Sequence, residues 1–203
     1  GTYEGTEIGE GNDFTVHVVR WSVLRGVEAE GLLLEPERAQ ANTVALPDAD
    51  WTPEMLCGLS EGLPPGAQYA RRLAENGCRV LIPTLINRDC EWSLVRDLKT
   101  NQPHREFVYR AAYELGRHVI GYEVQKVLAA VDWFVRSQRS LPVGVMGYGE
   151  GGLIALHAAA LDQRIKAVAV SGYFGPREKV FSEPIYRNVW GLLKEFGDAE
   201  IAT

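Results

Sequence analysis

Three cysteines in 203 residues, Cys57, Cys78 and Cys90, are too few for a disulfide framework, and no two share the C-x-x-C spacing of a zinc site. No H-E-x-x-H run offers another metal pattern, so neither a metal nor a cofactor is expected. Basic residues are the minority charge. Lys and Arg number 21 against 27 Asp and Glu, the net charge is −6 and the pI is near 5.3. There is no basic stripe of the kind a nucleic acid or an anionic membrane surface requires. No apolar stretch approaches the ~20 residues needed to cross a bilayer. What is present is 46% apolar residues, enough for one good core, so residues 1–203 are read as a single globular domain. With Gly1 at the start, a processed leader and the localisation are left open.

Patterning then sets the fold class. Residues 14–24 alternate (Phe14, Val16 and Val18 against Thr15 and His17), and after Gly26 a second run, 27–34, completes an antiparallel hairpin. Apolar runs at 43–46, 79–83, 143–148 and 165–170 predict further strands; the unbroken character of 79–83 suits a parallel sheet covered on both faces. Residues 64–76 predict a helix closed by Gly77, and 105–136 a long helical stretch broken near Gly116 or Gly121. Residues 150–161 predict a helix that leaves the 143–148 strand directly. A hairpin followed by repeated strand and helix predicts an α/β fold, mostly parallel with an antiparallel edge, binding ligands outside the carboxyl ends of its strands.

The most informative segment is Gly147-Tyr148-Gly149-Glu150-Gly151-Gly152, where that strand turns at once into its helix. A nucleophile elbow, G-x-nucleophile-x-G, needs such glycines because the apex takes positive φ and its flanks must lack bulk. Gly147 and Gly151 fill the flanking places, but the apex is Gly149, which has no atom able to attack a carbonyl. A dinucleotide loop fits less well. The third glycine of G-x-G-x-x-G falls at Gly152, Glu150 would repel phosphate, and residues 166–171 form a strand where an acidic ribose partner should stand. No Gly-Lys-Ser/Thr follows, which excludes a Walker loop.

This segment, with Val131-Asp132-Trp133-Phe134 before it and Leu161-Asp162-Gln163-Arg164-Ile165 after it, resembles the centre of the α/β-hydrolases. It is most similar to their dienelactone-hydrolase and acetyl-xylan-esterase-like branch, whose elbow is often G-[YF]-S-x-G-G. Glu195-Phe196-Gly197-Asp198 is similar to the stretch before that branch's next strand. The resemblance implies an α/β-hydrolase fold of carboxylic-ester hydrolase lineage, C-terminally incomplete, with helices on both faces of the sheet. It makes Gly149 the vacant nucleophile position. The family's acid and histidine would come later in the sequence than Thr203, and the last histidine here is His157.

The resemblance also assigns the oxyanion donors, the backbone N–H of Glu150 and one from the loop near Asp48 and Ala49, although Pro47-Asp48-Ala49-Asp50-Trp51 departs from the usual glycine-rich loop. A substrate pocket is expected above the 143–148 strand, walled by Trp51, Tyr148, Asn87, Arg88 and Trp92. Arg88 offers fixed donors for a carboxylate or sugar hydroxyl, its alternative being a salt bridge to Asp89 or Glu91. His157 lies ~12 Å along the helix from the apex and is expected to pack; His104 alone is placed to approach. Cys90, Ser93 and Ser171 have no elbow, and Glu91, Glu123 and Asp132 read as solvated helix or loop charges. The expected ligand is a small ester or carbohydrate. The open alternatives are a non-catalytic relative that binds such a ligand and a hydrolase with a different nucleophile.

Overall fold

A computed structural model describes residues 4–91, 97, 101–137 and 140–203. Among them, seven strands form one sheet in the order β1-β2-β3-β5-β4-β6-β7. The hairpin expected near the amino terminus is β2 (Phe14–Leu24) and β3 (Val27–Pro36), antiparallel and closed by the two residues Arg25 and Gly26. Gly26 has φ 76°, the left-handed backbone that so short a turn requires. A strand the sequence did not suggest, β1 (Glu4–Gly11), pairs antiparallel with β2. Its EGTEIGEG sequence carries glycine and charge where a strand normally carries β-branched residues, so propensity misses it and pairing supplies it.

The parallel part is β4 (Ala41–Leu46), β5 (Cys78–Pro83), β6 (Val143–Tyr148) and β7 (Ile165–Ser171), with β5 antiparallel to β3 at the junction. Side chains alternate between two cores. Leu33, Val44, Leu46, Leu81, Val143 and Val145 face α4 (Val119–Ser137) and α5 (Glu150–Leu161). Leu32, Leu34, Ala45, Val80 and Ile82 face α1 (Pro53–Cys57) and α2 (Tyr69–Glu75). Each fully buried Leu or Val contributes about 1.5–3 kcal/mol, so a sheet clad on both faces carries most of the stability. β7 lies at the sheet edge with Ala167, Val168 and Ala169 exposed.

Two helix boundaries refine the sequence reading. Residues 64–76 are not one helix: after Pro64, residues Pro65–Ala67 make a 3₁₀ turn and α2 begins only at Tyr69. Gly77 ends it at φ 79°, as expected. The long stretch breaks at Gly116, φ 65°, into α3 (His104–Glu114) and α4, whereas Gly121 is accommodated inside α4. His118 caps the second piece, its Nδ1 accepting the Ile120 N–H at 3.1 Å. The short helices α6 (Leu192–Glu195) and α7 (Asp198–Ile201) follow β7. Among the described residues no helix is long and apolar enough to cross a membrane.

Candidate active site

The turn from β6 into α5 has the elbow geometry. Gly149 sits at φ 58°, ψ −119°, and its N–H donates to the Ser171 carbonyl at 2.9 Å, tying the apex to the end of β7. The flanking glycines are required by close approach: a Cβ on Gly147 would collide with the Gly151 carbonyl, and one on Gly151 with the Leu46 and Pro47 carbonyls. At the apex the obstacle is different in kind. A Cβ on Gly149 would collide with the carboxylate of Asp48, which reaches over from the loop after β4.

That carboxylate takes up one of the donors assigned to the oxyanion hole, the Glu150 N–H. Asp48 Oδ1 accepts the Glu150 N–H at 2.9 Å, and the adjoining Ala49 N–H adds to the electrostatic pull on the carboxylate. The donor that the resemblance assigns at Glu150 is thus present but engaged. Arg88 closes the arrangement as a two-pronged pair, Nη1 to Asp48 Oδ2 at 2.8 Å and Nη2 to Oδ1 at 3.1 Å. Burial works to raise the Asp48 pKa, but Arg88 and the two backbone N–H groups outweigh it and hold the carboxyl below its ordinary value. The carboxylate is a poor base and a fully engaged acceptor.

Arg88 is itself held from several sides. Its Nε donates to the Tyr186 hydroxyl at 3.1 Å, Nη1 to Asp50 at 2.7 Å and Nη2 to Glu150 Oε1 at 3.3 Å. Its acidic partners come from the 48–50 loop and α5, not from neighbouring Asp89 or Glu91, because the guanidinium is directed toward the elbow. Burial opposes its charge, yet Asp48, Tyr186 and Asp50 raise its pKa.

Beneath lies a layer that sequence reasoning missed. Glu150, whose side chain is 0% exposed, receives Arg187 Nε at 2.6 Å and Arg105 Nη2 at 3.4 Å. Arg105, equally buried, donates to Glu123 at 2.8 Å and to the Ile86 carbonyl at 2.9 Å, while its guanidinium lies 5.2 Å from the centre of the Tyr186 ring. Glu123, read from sequence as a solvated charge, instead ties Arg105 to the Ile86 N–H at 2.9 Å. Among the described residues Arg88, Arg105 and Arg187 thus interlock with Asp48, Asp50, Glu123, Glu150 and Glu183 under the elbow. Nothing in the local sequence separates Arg105 or Arg187 from an ordinary surface arginine; only the fold brings them to Glu150.

The other candidates divide. Trp51 and Tyr148 stack face to face, centroids 4.8 Å apart and planes within 5°, beside the elbow. Asn87 turns to a different partnership, its Oδ1 2.6 Å from His104 Nδ1 and its Nδ2 on Asp89 at 2.7 Å. Asn87 and His104 both line a cavity of about 440 Å³ with Thr84, Ile86 and Lys126. Trp92 and Ser93 lie outside the described residues. His157 bonds the Leu153 carbonyl within its own helix, Asp132 pairs on the surface with Arg164 at 2.7 Å, and Cys90 is exposed. Among the described residues no cluster of three His, Cys, Asp or Glu side chains is arranged to hold a metal.

The sheet order, the N-terminal hairpin and the glycine elbow at the end of β6 define an α/β-hydrolase fold. The profile of the dienelactone hydrolase family matches residues 62–188, and the chain belongs to that family. No curated protein matches the sequence. Among solved structures, a putative acetyl xylan esterase from Bacteroides fragilis superposes with a TM-score of 0.66 at 17% identity, over 83% of this chain and 47% of its own. An acetyl xylan esterase from Paenibacillus sp. R4 gives 0.58 at 16% identity, over 91% and 58%. A dienelactone hydrolase from Anabaena variabilis gives 0.50 at 23% identity, over 78% and 63%. At these identities the likeness is one of fold, and the match spans roughly half to two thirds of each relative's length.

Proposed function

We propose that this protein is a member of an esterase lineage whose elbow has lost acyl transfer and persists as a rigid, charge-locked turn. The observation that carries the reading is Asp48: its carboxylate fills the space a nucleophile's Cβ would need and bonds the Glu150 N–H that would otherwise stabilise an oxyanion. Asp48 is no substitute nucleophile, since both oxygens are held by Arg88 and its basicity is depressed. Contact with a small ester or a carbohydrate then amounts to binding without turnover. The surface suited to it is the Trp51 and Tyr148 stack beside Asp50, where aromatic faces and a half-exposed carboxylate offer the mixed contacts that sugar rings use.

The test uses the full-length protein. It is expected to release no p-nitrophenol from p-nitrophenyl acetate above the buffer rate and to resist labelling by a fluorophosphonate. Acetylated xylo-oligosaccharides are expected to perturb the Trp51 indole resonance without losing acetate. Turnover that survives in the protein and disappears on Asp48→Asn would instead make Asp48 the catalytic group and end the proposal.

A further inference from the structure

Building on the reading of a non-acylating elbow, we infer that Asp48 is a tethered occupant of an anion-binding site, and that without its side chain the same site takes a free small carboxylate. The arrangement around Asp48 is that of a ligand in a receptor. Both carboxylate oxygens meet the Arg88 guanidinium, at 2.8 and 3.1 Å, and Oδ1 also meets the Glu150 N–H at 2.9 Å. The Glu150 N–H opens the twelve-residue helix α5, whose end favours negative charge.

Two features keep the receptor in place when the tether is cut. Arg88 is fixed by partners other than Asp48, namely the Tyr186 hydroxyl, Asp50 and Glu150, so its guanidinium stays aimed at the elbow. The elbow's backbone is set by the Gly149 N–H bond to Ser171 and by the contacts that force glycine at 147 and 151, none of which involves Asp48. The opposing carboxylates are Asp50 and Glu150; the latter is compensated by Arg105 and Arg187. With no side chain at 149, removal of the Asp48 carboxylate leaves space of formate or acetate size facing at least three N–H donors. In the parent chain the tether supplies a local carboxylate concentration that free anions do not match.

The experiment is thermal unfolding of the full-length protein and its Asp48→Ala and Asp48→Asn forms in formate, with chloride at equal ionic strength as control. Asp48→Ala is expected to gain stability with formate in a saturable way, the folding equilibrium shifting about a hundredfold at a hundredfold excess over Kd. The parent and Asp48→Asn, which fills the space, are expected to respond to formate and chloride alike. Equal responses of a folded Asp48→Ala to the two anions would overturn the inference. If Asp48→Ala is unfolded in chloride, refolding in formate supports it and continued unfolding in molar formate overturns it. Ester turnover by the parent would end the non-acylating reading while leaving the formate response as it is, so the two failures are separable.

Discussion

Serine at position 149 looks like the simplest restoration of the family elbow, and the structure expects it to be costly and inert. At φ 58°, ψ −119° a side chain brings backbone strain of about 1–3 kcal/mol. Its Cβ also displaces Asp48 from the Glu150 N–H and from Arg88. The Arg88 and Asp48 side chains are 26% and 18% exposed, so screening trims that loss to about 1–3 kcal/mol. Gly149→Ser alone should therefore destabilise by about 2–6 kcal/mol. In an Asp48→Ala background only the strain remains, so the two substitutions should couple by about 1–3 kcal/mol. Urea unfolding of the parent, both single variants and the double variant measures this directly. Additive effects, or a Gly149→Ser form as stable as the parent, would refute the claim that Asp48 holds the apex.

Three further outcomes are expected. Gly144→Ala, on the same strand as the elbow but with Ala167 no nearer than 3.5 Å, should change stability by less than about 1 kcal/mol, whereas Gly149→Val should lose several times as much; equal effects in a melt would contradict the elbow conformation. Glu150→Ala removes the buried carboxylate shared by Arg88, Arg105 and Arg187 and should cost about 3–5 kcal/mol, while Asp50→Ala, on a carboxylate 54% exposed, should cost less than about 1 kcal/mol by urea unfolding. Burial, reinforced by Arg105 and His157, holds the His118 pKa below its ordinary value despite the Asn188 carbonyl. The unfolded chain therefore binds that proton more readily, so the His118 contribution is complete above about pH 6.5 and is lost as pH falls through the lowered folded value. Melting curves of parent and His118→Asn should diverge in their pH dependence only below that point.

Most of the scaffold was legible because it rests on local patterns. Alternation in residues 14–24, the glycine stop at Gly77 and the break at Gly116 each leave a signature within a few residues. The elbow was legible for the same reason: its sterics demand glycine at 147 and 151 whatever the chemistry. β1 was not, since a glycine- and glutamate-rich strand is made by its partner. The ion-pair layer was not either. Asp48 and Glu150 are 102 residues apart, Arg105 and Glu150 45, and no periodicity marks a pairing across such distances. The reading of Glu123 as a solvated charge fails for the same reason, since only the fold brings Arg105 to it. The Glu150 N–H is occupied likewise: buried donors are rarely left unpaired, and Asp48 is within reach to pair with this one.

The stacking of Trp51 on Tyr148 gives the molecule an internal optical gauge. The indole travels with the loop that carries Asp48 and the phenol with the strand that ends in the elbow, and two chromophores 4.8 Å apart and nearly coplanar couple their transitions and shield each other's ring protons. The pair's share of the near-ultraviolet dichroism and the upfield shift of the Tyr148 ring resonances therefore depend on the loop staying against the turn. Whatever loosens Asp48 from the turn is readable as light and as chemical shift, with no label attached.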